Sequence, residues 1–130
     1  MHLLTAIIRP ERIDFVKKEL EDRGIYGMTI TEVRGRGEQK GIALQYRRRT
    51  MSVDMLPKYR VEVAVDDRLV DTAIEAICAG ARTGKVGDGK IFVLPIARTI
   101  RVRTGEELTD GPAPDAEDED PSSSAPTNPI

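Results

Sequence analysis

Residues 59–78 read YRVEVAVDDRLVDTAIEAIC, and the apolar period changes halfway along. Tyr59, Val61, Val63 and Val65 alternate with Arg60, Glu62 and Ala64, the period-two pattern of a half-buried strand. Beyond Asp66 and Asp67, either of which is placed to cap a helix, Leu69, Val70, Ala73, Ile74, Ile77 and Cys78 fall on one helical face. A glycine-rich turn from Arg82 to Lys90 then leads into KIFVL (90–94), a further strand that Pro95 ends or confines to an edge.

The preceding half repeats this order. HLLTAIIR (2–9) is a short apolar run with β-branched residues, a buried strand. Pro10 opens a helix, where its missing N–H costs nothing; Ile13, Phe15, Val16 and Leu20 face inward and Gly24 is the stop. MTITEV (28–33) reads as the second strand. Two β-α-β halves in series give an α+β fold, the ferredoxin-like βαββαβ split sandwich, with two helices on one face of a four-stranded antiparallel sheet. The other face is left open, which predicts self-association through it.

The chain has 130 residues, a formal charge of −2, one cysteine and one histidine. One cysteine excludes an intrachain disulfide framework and a Cys-built metal or iron–sulfur site, and one histidine excludes most Ser-His and His-metal constellations. Residues 109–130 hold six acids and five of the eight prolines with no Lys or Arg, a composition that predicts a disordered tail. Residues 1–108 form the folded body, in which 20 basic residues exceed 16 acidic ones. No apolar run approaches the roughly 20 residues of a membrane span, and no signal-peptide pattern opens the chain, so a soluble, cytoplasmic domain is expected.

Two segments depart from the compact pattern. Residues 35–56 carry no strand or helix period, and loops this long are usually functional or disordered. TGKVGDGK (83–90) satisfies GxxxxGK formally, but it lies between a helix and a strand, and Ile91 follows Lys90 where a P-loop needs Ser or Thr. Gly84, Gly87 and Gly89 beside Lys90 would make an anion nest, and they would equally make an ordinary αβ turn. Arg98, Arg101 and Arg103 follow the last strand; if residues 99–103 are extended, Arg101 and Arg103 share a side as a clamp suited to polyphosphate. The same arginines would also serve to blunt a sheet edge. His2 reads as a strand-end surface residue and Cys78 as a core thiol, and no nucleophile–base pair is evident.

TGKVGDGKIFVLPIARTIRVRTGE (83–106), IIRPERID (7–14), GMTITEVRGRGEQKG (27–41) and VDMLPK (53–58) together resemble the PII nitrogen-regulatory family, of the kind associated with ammonium channels. The resemblance implies a non-enzymatic homotrimer with nucleotide sites in the clefts between subunits, taking ATP or ADP, and 2-oxoglutarate together with Mg-ATP. Carried over residue by residue, Gly87, Asp88, Gly89 and Lys90 line the phosphates with Arg101 and Arg103. Thr29, Gly35, Arg36, Gly37 and Ala64 fall on the adenosine side, with Glu38 also at a nucleotide position. Gln39 corresponds to the magnesium ligand, and Lys58 to the lysine that meets a 2-oxoglutarate carboxylate, in a site completed by Gln39, Lys40, Gly41 and Gly87. Residues 37–55 correspond to the effector T-loop, and Arg47 to the arginine that plugs an ammonium channel.

The implied partners are an ammonium channel, glutamine synthetase or another nitrogen-metabolism enzyme, with peripheral membrane association through a channel and no nucleic acid. Three positions depart from the family: Met51 replaces a modifiable tyrosine, Arg49 a phosphorylatable serine, and Glu38 a phosphate-reaching arginine. The βαββαβ order also suits an RRM-like RNA-binding module with Arg47, Arg48 and Arg49 in its loop, although residues 59–65 supply one aromatic where that module needs several. A slow ATPase is the third reading, weakened by the lack of a water-positioning base.

Overall fold

The computed structural model describes residues 1–37 and 55–109, so Glu38, Gln39, Lys40, Gly41, Arg47, Arg49, Met51 and the acidic tail lie outside the described residues. Strand β1 (His2–Ile8) leads through a 3-10 turn (Pro10–Arg12) into α1 (Ile13–Asp22) and then β2 (Thr29–Gly35). The second half follows as β3 (Leu56–Val65), a 3-10 turn (Asp67–Leu69), α2 (Val70–Ala81) and β4 (Lys90–Pro95). The sheet order is β2-β3-β1-β4, every pair antiparallel, which is the ferredoxin-like α+β architecture expected from the sequence.

The alternation of β1 and β3 sorts their residues onto two faces. Leu4, Ala6 and Ile8 pair with Val63, Val61 and Tyr59, and this face meets Val16 and Leu20 of α1 and Ala73, Ala76 and Ile77 of α2. Each large aliphatic side chain so buried contributes about 1.5–3 kcal/mol. α1 ends in a Schellman pair, Ile25 N–H on the Leu20 carbonyl and Gly24 N–H on the Glu21 carbonyl, both at 2.9 Å, and Leu20 and Ile25 are buried together. α2 crosses α1 at Gly80, where a Cβ would stand 2.5 Å from Val16 Cα. The small-residue stripe Ala73, Ala76 and Gly80 lets the two backbones approach this closely.

Four local readings change. Phe15 is exposed and lies under the Arg12 guanidinium, 4.0 Å from ring centroid to Arg12 Cζ, because the i, i+4 pair Val16 and Leu20 already fills the inward stripe. Neither Asp66 nor Asp67 caps α2 through its side chain: Asp66 pairs with Arg68, and Asp67 Oδ1 lies 2.6 Å from His2 Nδ1 and 3.1 Å from the Met1 amino group. Cys78 is half-buried at a cleft wall, not in the core. β3 starts at Leu56, before the alternation begins, because Pro57 and Lys58 pair with β2 alone, and β1 joins only from Tyr59.

Candidate functional site

The segment between α2 and β4 is held in shape by one carboxylate. Asp88 accepts hydrogen bonds from the Thr83 N–H (2.8 Å), the Thr83 hydroxyl (2.5 Å), the Gly84 N–H (2.9 Å) and Arg9 Nε (3.0 Å). The Thr83 hydroxyl, then the Thr83 N–H, followed by Arg9 and the Gly84 N–H, hold the Asp88 carboxyl well below the usual carboxylate range; partial loss of solvent opposes this and is outweighed. Arg9 also donates from Nη2 to the Val86 carbonyl at 2.6 Å, and Lys58 Nζ donates to the Gly87 carbonyl at 3.0 Å. Two cations from two strands therefore turn loop carbonyls toward themselves.

At Gly89 the chain has φ +108°, and a Cβ there would lie 1.8 Å from the Ile7 carbonyl oxygen. Only glycine fits so close to β1, and the position places Lys90 at the first residue of β4, opposite Ile7. Lys58 and Lys90 stand at the same end of the sheet as the glycine loop. The glycine backbone, with the Arg9 guanidinium against Gly87, and two lysines make a donor set suited to an anionic phosphate chain. Asp88 contributes to it through loop shape and backbone, since its carboxylate is already occupied.

Other residues of the carried-over set lie elsewhere. Thr29 opens β2 and pairs with Glu62 in the middle of the sheet, at the level of Thr5 and Phe92, while Ala64, two residues beyond Glu62, pairs with Leu3 toward the end away from the glycine loop. Thr29 and Gly35 stand at opposite ends of β2, about 20 Å apart by strand rise. Gly35 pairs with Leu56 beside Lys58, and Arg36 and Gly37 continue past the strand. The stretch 99–103 is not an extended segment: β5 (Thr99–Ile100) and β6 (Glu107–Leu108) form a separate hairpin, and Arg101 and Arg103 sit in its turn. Arg101 N–H donates to the Glu106 carbonyl at 2.9 Å and Gly105 N–H to the Arg101 carbonyl at 2.8 Å, so turn closure overrides the extended form. Arg98 is committed to closing that hairpin, Nε and Nη2 reaching Glu107 at 3.0 and 3.1 Å. Within one chain, then, Lys58, Gly87, Asp88, Gly89 and Lys90 converge, while Thr29, Ala64, Arg101 and Arg103 do not.

Arg9 is the residue missed by sequence reasoning. A cation ending an apolar strand directly before Pro10 is a visible anomaly, but nothing local connects it to a loop 79 positions away. Behind the loop, on the helix side of the sheet, a cleft of about 390 Å³ is lined by Ile8, Ile77, Cys78, Ala81 and the start of β4. Among the described residues no group of three His, Cys, Asp or Glu side chains gathers as a metal site, and no helix is long and apolar enough to cross a membrane.

The fold and loop define a class: a split βαββαβ sandwich with a glycine loop leading into its last edge strand. Residues 1–106 match the family described as "P-II: Nitrogen regulatory protein P-II". The chain is 56% identical over 110 residues to the "Nitrogen regulatory protein P-II" of Haemophilus influenzae, covering 85% of this chain and 98% of that one. It is 54% identical over 110 residues to the protein of the same name from Pasteurella multocida, with the same coverage. It is 51% identical over 106 residues to the "Nitrogen regulatory protein P-II 2" of Methanothermobacter thermautotrophicus, covering 82% and 92%. The chain belongs to the nitrogen regulatory protein P-II family.

Nothing supports the RRM-like alternative. Tyr59, the one aromatic of its third strand, pairs with Ile8 on the helix side of the sheet and packs against the core, where no base can stack on it.

Proposed function

We propose that the protein is a non-enzymatic, homotrimeric nitrogen-regulatory sensor that binds ATP or ADP in clefts between subunits. The observation that carries the reading is the split of the site residues. Glycine loop, Lys58 and Lys90 share one end of the sheet, while Thr29 lies mid-sheet on the far edge strand β2, Ala64 lies toward the other end, and Arg101 and Arg103 sit in the turn of a separate hairpin. Residues on different strands and on the separate hairpin are consistent with a site completed by a second copy, which would bring Arg101, Arg103 or the adenosine-side residues to the glycine loop. The positive-φ backbone at Gly84, Gly87 and Gly89, with Lys90 directly after it, supports a polyphosphate as the ligand.

Mg²⁺ would be held by the nucleotide phosphates and Gln39, and 2-oxoglutarate would bind beside it through Gln39, Lys40, Gly41, Gly87 and Lys58. Bound magnesium supplies charge neutralisation for the phosphates and an oxygen-coordinating site for a 2-oxo acid. Lys58 already reaches the Gly87 carbonyl, so a carboxylate arriving at Lys58 competes with a contact that steadies the phosphate loop. The two ligands are thereby coupled through one side chain. The loop 37–55 would carry the ligand state to an ammonium channel or a nitrogen-assimilation enzyme in the cytoplasm, with Arg47 as the contact residue, by a shift between loop populations.

Titration calorimetry with ATP, ADP, and ATP plus 2-oxoglutarate in magnesium tests this. Lys90→Ala, Arg101→Ala and Arg103→Ala should each weaken nucleotide binding about tenfold or more, the worth of a charge-assisted contact. Lys58→Ala should abolish 2-oxoglutarate binding and leave most ATP affinity. Full ATP affinity in all four variants, or absence of ATP binding by the wild type, overturns the reading.

A further inference from the structure

The segment between α2 and β4, with the strand ends beside it, concentrates positive charge. Arg82, Lys85 and Lys90 belong to the segment and are exposed. Arg9 joins it from just past β1 through Asp88 and the Val86 carbonyl, and Lys58 joins from β3 through the Gly87 carbonyl. The segment offers these five cations one carboxylate, Asp88, which already accepts four hydrogen bonds. Lys58 donates to a neutral carbonyl, which offsets none of its charge. A surface of this kind draws polyanions.

The chain carries a polyanion of its own. The family match ends at residue 106, so the sensing role leaves residues 109–130 without a part. They hold six acids and no Lys or Arg, and Glu117, Asp118, Glu119 and Asp120 are consecutive. The tail starts after Leu108, which pairs with Thr99, four residues beyond Pro95 at the end of β4. From there β4 rises about 17 Å back to Lys90, so Leu108 and the cations are at most about 30 Å apart. The four acids stand nine to twelve residues past Leu108, a length of chain that reaches about 30–40 Å. The tail is long enough to bring them to the glycine loop.

We propose that residues 117–120 dock on the cations around the glycine loop and compete there with the phosphates of a nucleotide. The inference rests on the nucleotide site of the proposed function and gives that site an internal competitor. Carboxylates and phosphates take the same lysine and arginine donors, so both cannot be served at once. A tethered ligand acts at an effective concentration of about 1 mM. A tail contact of millimolar strength therefore weakens ATP about twofold, and one ten times tighter weakens it about tenfold.

The full chain carrying Glu117→Gln, Asp118→Asn, Glu119→Gln and Asp120→Asn together tests the contact against wild type. Calorimetry at low salt should show ATP bound about two- to tenfold more tightly by the variant. The gap should close near about 0.5 M salt, where exposed charges are screened. A water-soluble carbodiimide, which joins carboxylates to amines, should link residues 117–120 of the wild type to Lys58, Lys85 or Lys90. Saturating ATP should suppress those links. Tighter ATP binding by the variant without the links would mean repulsion at a distance and overturns the docking. Equal affinity of the two chains, or links that persist under saturating ATP, overturns the competition. Failure of both chains to bind ATP overturns the nucleotide site itself, and the links alone then decide whether the tail docks.

Discussion

Arg9 and Asp88 are hydrogen-bonded at 3.0 Å across 79 positions of sequence, and this contact joins the end of β1 to the glycine loop. The same guanidinium takes the Val86 carbonyl, so one side chain fixes two points of the loop while neither of its targets is a ligand. Arg9 is therefore a positioning residue for the backbone that Gly87 and Gly89 present. Arg9→Ala removes two charge-assisted hydrogen bonds and should cost about 1.5–3 kcal/mol of stability. Its melting temperature should fall by about 5–10 °C, with a parallel loss of ATP affinity read by calorimetry. Arg9→Lys keeps the charge but not the fork, so it should recover stability better than affinity. Equal affinity in Arg9→Ala and wild type would show that the loop shape does not depend on it.

Acid should reveal the Asp88 network. The folded pKa of Asp88 is depressed below its ordinary value, about 3.8, so the charged carboxylate stabilises the fold above that pH, and the contribution is lost as pH falls below it. Stability contributed by Asp88 should be flat from pH 5 to 8 and decline below about pH 4. Urea midpoints at pH 7 and pH 3 check this with Asp88→Asn. Wild type should exceed the variant at pH 7, and the gap should narrow at pH 3. A gap of constant size would mean that shape, not charge, is what Asp88 supplies.

Much of this architecture was legible because each signal was local. The alternation at residues 59–65, the helical stripe after Asp67 and the stop at Gly24 follow from side-chain period and turn chemistry alone, and all three correspond to observed elements. Phe15 was misplaced because a helix one residue off its stripe looks apolar in sequence, while Val16 and Leu20 had already filled the available core. The site was legible in its glycines and lysines and illegible in its connections. Arg9 to Asp88 and Lys58 to Gly87 are pairings between elements distant in sequence, and the hairpin closed by Arg98 and Glu107 hid behind an arginine pattern that reads equally as an extended clamp. Gly80, to which the helical pattern assigns no role, is the crossing point of the two helices.

That crossing supplies a stability test independent of the ligand site. Gly80→Ala places a Cβ within 2.5 Å of Val16 Cα and 2.8 Å of the Phe15 carbonyl carbon. Backbone atoms cannot rotate away as a side-chain tip does, so α1 and α2 must separate. Overpacking of this kind costs about 1–3 kcal/mol, opposite in sign to the gain that Gly→Ala normally brings in a helix interior. Chemical denaturation should show Gly80→Ala less stable than wild type, and a more stable variant would mean that the helices do not cross here.

Gly89 separates the site from the fold most directly. With φ +108° and the Ile7 carbonyl 1.8 Å from any added Cβ, Gly89→Ala cannot keep both the β1–β4 pairing and the loop path. Strain of this type costs about 1–3 kcal/mol per residue and persists only where the surroundings enforce it. The pairing between β1 and β4 is anchored over six register positions, from His2–Pro95 to Ile7–Lys90, whereas the loop is held by a few hydrogen bonds to Asp88 and two carbonyls. The loop is the weaker element and should yield first, carrying Gly87 and the Lys58 contact out of place. Gly89→Ala should then lower the melting temperature by several degrees while removing nucleotide binding almost completely, a larger functional than structural loss. Circular dichroism should remain that of the folded sandwich. Retained nucleotide affinity in a folded Gly89→Ala protein would show that the phosphates bind elsewhere, and the assignment of the glycine loop would fail with it.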